Sequence, residues 1–198
     1  MNFWIVSFIT ISLYNTITQF MRIWLGENQQ LDNFTVSVVL INLYFQLMRS
    51  SVEQFKEGSG NYHQDRYVAF IEAFINLTFS IILVKKIGIA GVFLGTFISN
   101  ISVVFWIKPR ITYKYVFKTP LKNYFYMYFK YLFIAVIPLI ITIILTANIK
   151  ESNSILNFLI NCLINIVIIN TFYLIIFRKS EEFKYFKDLI YNNILRKR

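Results

Sequence analysis

Long apolar stretches separated by short polar ones organise this chain. They run Phe3–Phe20, Phe34–Met48, Tyr67–Val84, Ile89–Ile107, Tyr124–Ala147 and Ile155–Phe177. The third is apolar for 18 residues except for Glu72, Asn76, Thr78 and Ser80. At about 1.5 Å per residue it reaches roughly 27 Å as a helix, close to the hydrocarbon thickness of a bilayer. The pattern predicts an all-α polytopic bundle of about six membrane-spanning helices over residues 1–177, followed by a basic tail over 178–198.

The polar punctuation predicts where the helices stop. Arg22 to Gly26 closes the first span, and Glu27 to Asn33 forms a turn. The second span, starting at Phe34 or already at Leu31, carries Asn42 and Gln46 one turn apart and ends at Arg49. An amphipathic continuation with Glu53, Lys56 and Glu57 follows, then a loop from Gly58 to Arg66. Lys85 and Lys86 stop the third span, and Gly88 permits a sharp reversal into the fourth, making a membrane hairpin. Lys108-Pro109-Arg110 is expected to end the fourth span, because proline disfavours helical continuation at the residue before it. Between Ile111 and Asn123, lysines four residues apart fit either a short surface helix or a charged linker. Pro138 predicts a kink in the fifth span.

Two stripes stand out on the hairpin. Glu72, Asn76 and Ser80 recur every fourth residue and so share one helix face. Gly88, Gly91, Gly95, Ser99 and Ser102 step by three and four along the next helix, a ladder that lets two backbones approach closely in lipid; plain helix packing is its simplest reading. A carboxylate at the bilayer centre costs about 2.5–3.5 kcal/mol, so Glu72 is expected to face protein or water and to need Asn76, Arg66, Arg49, cavity water or a bound proton. In the last span Asn157, Asn161 and Asn165 also share a face and would fit a polar cavity or hydrogen bonds to neighbouring helices, but asparagine is abundant throughout, and compositional bias is the preferred reading.

Composition agrees with the pattern. Charged residues make up 15% of the chain against about 25% in soluble domains, while 57% is hydrophobic. The net charge of +10 would suit nucleic acid in a soluble protein. Here the basic residues sit between and after apolar stretches. Fifteen lie in the Arg49–Arg66 and Lys108–Lys122 segments and the tail from Arg178, against four in the alternate segments, which places the first set and both chain ends in the cytoplasm. Trp4, Trp24 and Trp106 fall near the resulting interfaces. The tail interleaves Phe183, Tyr185, Phe186, Leu189 and Ile190 with its basic residues, which suits an anionic membrane surface. The single Cys162 excludes an intrachain disulfide, and with the lone His63 it makes no zinc site. No glycine-rich phosphate loop or nucleophile elbow is present, and no cofactor is expected. The first stretch lacks a basic leader and a cleavage site, so it does not read as a secretory signal. Because the chain starts almost inside its first span, it is expected to be the C-terminal part of a longer protein.

The run G-x-x-x-Q-D-R-Y-x-x-x-I-E-A-x-I-N-L-x-x-S-I-x-L-V-x-K-x-G-I-x-G-V-x-L-G-T-x-I-S, from Gly60 to Ser99, with M-R-I-W-L-G at Met21–Gly26 upstream, resembles the polysaccharide flippases of bacterial surface-glycan pathways. These belong to the superfamily of multidrug and lipid-linked-oligosaccharide exporters, whose members have two related helical lobes. The resemblance implies one MATE-like lobe, the C-terminal one, working with a missing N-terminal lobe in the cytoplasmic membrane. It also implies a polar route for a lipid-linked oligosaccharide and positive charge for its pyrophosphate. Arg49, Arg66, Glu72 and Asn76 are the candidates for that route; for the two arginines, interfacial anchoring is the competing reading. Two other classes stay open: a structural or nonfunctional membrane fragment, and a membrane-embedded enzyme of the same pathway, for which the His63–Asp65 pair is the one available acid–base combination.

Overall fold

The structure, a computed structural model, describes residues 2–26, 30–60, 63–147, 149 and 155–195. It contains α1 (Asn2–Leu25), α2 (Asn33–Gly58), α3 (Val68–Ile87), α4 (Ile89–Ser99), α5 (Phe105–Ile111), α6 (Leu121–Thr146), α7 (Ile155–Phe177) and α8 (Glu181–Leu195), with no strand among the described residues. Residues 27–29 of the turn expected at Glu27–Asn33 lie outside the described residues, as do the tail's last three positions. Asp32 starts α2 by accepting a hydrogen bond from the Thr35 amide at 3.0 Å, which satisfies one of the free donors of the first turn. Gly88, at φ 62°, reverses the chain between α3 and α4, in a region of backbone space that only glycine enters cheaply.

Pro109 does not end the fourth stretch, contrary to the sequence expectation. The helix passes through it, joining α4, a π turn at Asn100–Val104, α5 and a second π turn at Thr112–Phe117 into one rod. Proline removes a single donor, and the wide turns on either side take up the distortion. The rod stops only where Lys118 adopts φ 51° ahead of Pro120. The Ile111–Asn123 segment is therefore neither a separate surface helix nor a loose linker. Farther on, α6 continues past Pro138, and the tail forms α8, whose Phe183 stacks on Trp4 at 6.2 Å.

Four helical stretches are long and apolar enough to cross a membrane: His63–Ile87, Ile89–Phe117, Leu121–Thr146 and Ile155–Phe177. The six expected spans thus reduce to four on this criterion. α1 and α2 have the length but carry too many polar residues, and packing explains why. They sit at the centre, α1 against α2, α6 and α7, and α2 against α1, α4 and α5. α3 lies at the rim, leaning on α4 and the first π turn, and its phenylalanines 70 and 74 and Leu77 are exposed. The bundle is inverted relative to a soluble domain: large apolar side chains cover its surface, while Asn15, Gln19, Arg49, Asn161 and Asn165 are buried.

Candidate functional site

Charge in the interior is concentrated where α2 crosses the rod. Arg49, 5% exposed, donates from Nε to Glu53 Oε1 at 2.7 Å and from Nη1 to Asn100 Oδ1 at 2.8 Å. Lys108 Nζ donates to the same Glu53 oxygen at 2.6 Å. Asn100 opens the π turn, and its amide donates to the Thr96 carbonyl at 3.2 Å, so the guanidinium grips the rod where its winding changes. The buried hydroxyls of Tyr44, Tyr124 and Tyr128 have no hydrogen-bond partner among the described residues, and those of Tyr124 and Tyr128 lie within electrostatic reach of Arg49. At the same end an aromatic pocket of about 260 Å³ opens between α1, α2 and α6, with Trp4, Tyr113, Tyr124 and Phe183 among its walls.

The hairpin forms the adjoining face. Asn76 Nδ2 donates to Thr96 Oγ1 at 3.0 Å, and Ser80 Oγ to the Val92 carbonyl at 3.2 Å. Opposite Ser80, a Cβ on Gly95 would lie 2.2 Å from the serine oxygen. A Cβ on Gly91 would meet the Leu83 carbonyl carbon at 2.3 Å. Gly91 and Gly95 are buried on this contact, and Ser99 is buried one turn further on. Gly88 takes no part in it: nothing lies within 4 Å of where its Cβ would be, and its role is the turn. Ser102 is exposed, because the π turn rotates the ladder off the helix contact.

The four proposed route residues are not joined by any hydrogen bond or ion pair to one another. Arg49 belongs to the Glu53 cluster and Asn76 to α4. Arg66 is exposed, over the Tyr67 ring at 4.7 Å and 3.1 Å from His63 Nε2. Glu72 is partly buried and makes no hydrogen bond or ion pair with Asn76, Arg66 or Arg49, the protein partners expected for it. Asp65 pairs with Lys56, which leaves the His63–Asp65 combination unformed.

Sequence reasoning missed Glu53, Lys108 and Asn100. The i, i+4 spacing of Arg49 and Glu53 was the available signal. It also misjudged the asparagine stripe, which composition does not explain. Asn161 and Asn165, both 0% exposed, lock α7 to α1. Asn15 donates to Asn165 Oδ1 at 2.7 Å, and Asn161 Nδ2 to the Asn15 carbonyl at 2.9 Å and to Gln19 Oε1 at 3.4 Å.

The chain matches no family model, and comparison with curated proteins and with solved structures gives no match. The class is defined by the fold itself: a helical membrane protein with an apolar surface and, among the described residues, a set of buried asparagine, glutamine and arginine side chains.

Proposed function

We propose that the chain is the C-terminal lobe of a carrier that flips a lipid-linked oligosaccharide repeat unit across the cytoplasmic membrane, with the second lobe as its partner. The observation carrying this reading is the buried Arg49–Glu53–Lys108–Asn100 cluster inside an apolar-surfaced bundle. Ionisable groups within membrane helices are rare and mark substrate and ion pathways, and a buried salt bridge is weak evidence for a stabilising role. The resemblance around Gly60–Ser99 supplies the substrate class.

Six spans fit this reading better than four. α1 runs antiparallel along α7, from Trp4 bonded to Asn170 down to Phe20 beside Phe158. α2 follows the rod from Asn42 on the Phe93 carbonyl to Val52, whose carbonyl accepts from Thr112. Each polar central helix is thus coextensive with an apolar one, and protein neighbours, instead of lipid, cover its polar groups. Both ends then lie in the cytoplasm. Reporter fusions after Lys86 are expected to give an exterior signal, and fusions after Lys114 a cytoplasmic one; an exterior signal at Lys114 would overturn this topology.

A second reading, a structural membrane fragment, is favoured by the separation of Arg66 and Glu72 from the Arg49 cluster. Export measured in cells that depend on the complete carrier decides between them. Glu72→Gln and Arg49→Gln, compared with wild type at matched membrane abundance, are each expected to lower surface glycan at least tenfold. Wild-type export in both variants would remove the proposed route.

A further inference from the structure

The antiparallel hairpin has a regular register. Ser80 bonds opposite Val92 and Asn76 opposite Thr96, while Val68 packs with Val103 and Val104. One turn before Asn76 on the same face, Glu72 therefore stands opposite Asn100, the residue that Arg49 grips. This stretch of the bundle carries two cations, Arg49 and Lys108, and two carboxylates, Glu53 and Glu72, divided unevenly. Glu53 holds both Arg49 and Lys108, and Glu72 holds neither.

We propose that Arg49 exchanges between Glu53 and Glu72, turning about its bond to Asn100, so that its two settings form a switch tying the rim helix α3 to the central helix α2. In the second setting Arg49 pairs with Glu72 and Lys108 alone holds Glu53, which gives each acid one cation. That division suits a low-dielectric interior, where an acid with no partner is costly and a second cation on one carboxylate gains less than the first. The guanidinium is built for such a transfer. Nη1 keeps its contact with Asn100 while the other nitrogens change partner, and the charge persists throughout. The exchange would join α3, whose bonds in the present setting go to α4, directly to α2. This inference goes beyond the transport reading and needs no assumption about cargo.

The test is a set of thermal melts of the full chain in lipid nanodiscs. Glu53→Gln leaves Arg49 able to turn to Glu72, and Glu72→Gln leaves the present pairing intact, so each single variant is expected to lose little. Glu53→Gln with Glu72→Gln strands the buried arginine. The double variant is expected to melt at least about 4 °C below the sum of the single losses. Additive losses would overturn the exchange. Where the double variant yields no folded protein, adding Arg49→Gln is expected to restore it, and failure to restore it would overturn the proposal. Neither result depends on glycan export, so the switch and the transport reading fail independently.

Discussion

Gly91→Ala is expected to break the α3–α4 hairpin and to lower the folded yield in membranes sharply. The added Cβ would lie 2.3 Å from the Leu83 carbonyl carbon, 2.5 Å from its oxygen and 2.5 Å from the Val84 nitrogen. All three are backbone atoms of a helix whose own hydrogen bonds hold them, so no rotamer change relieves the clash. Overpacking typically costs about 1–3 kcal/mol, and a clash with backbone belongs at the upper end of that range. The hairpin has few other contacts to compensate, because α3 leans on little besides α4. Gly95→Leu acts in the same way against Ser80, where the nearest atom is a side-chain oxygen but the Ser80 nitrogen follows at 2.7 Å. Melts of purified protein and limited proteolysis at the Gly88 turn measure the effect. A wild-type melting temperature for Gly91→Ala would mean that the two helices are not in backbone contact.

Asn161→Leu has the second largest expected effect, at the opposite side of the bundle. Asn161 donates to the Asn15 carbonyl and to Gln19, and both its carbonyl and its side-chain oxygen accept from Asn165. Hydrogen bonds between membrane helices contribute about 0.6 kcal/mol each on average. The three that involve its side chain are lost together at a cost of roughly 2 kcal/mol, and leucine also brings a branched side chain into a fully buried position. The expected result is a melting temperature lower by several degrees, about 2–4 °C per kcal/mol at this chain length. Thr171→Leu, at an exposed position of the same helix, is the control and is expected to change it less. An equal loss in the two variants would show that the effect does not come from the α1–α7 network.

Much of the secondary structure was legible because lipid-facing helices must be apolar for their whole length. Ile155–Phe177 is α7 to the residue, and the Gly88 reversal stands where Lys85 and Lys86 announced it. Pro109 was misread because proline rules describe a single backbone position, whereas the surrounding π turns spread its distortion over a dozen residues. The charge cluster was only half legible. Arg49 and Glu53 advertise themselves by spacing, but Lys108 and Asn100 reach them from more than fifty positions away, and no local pattern encodes that meeting. The asparagines of α7 failed for the same reason. Their meaning lies in Asn15 and Gln19 on α1, so frequency along the chain was the wrong measure.

The α1–α7 lock also has a consequence in time. The bond from Asn161 to Asn15 spans 146 positions. At a synthesis rate of about 5–20 residues per second, α7 emerges roughly 7–30 s after α1. Through that interval Asn15 and Gln19 are already made and have none of their α7 partners. The next helix out of the ribosome, α2, is the first that can shelter them, and it joins α1 through Asn2 on the Leu47 carbonyl. Biogenesis of this bundle is therefore a problem of keeping an early polar helix company until its late partner arrives.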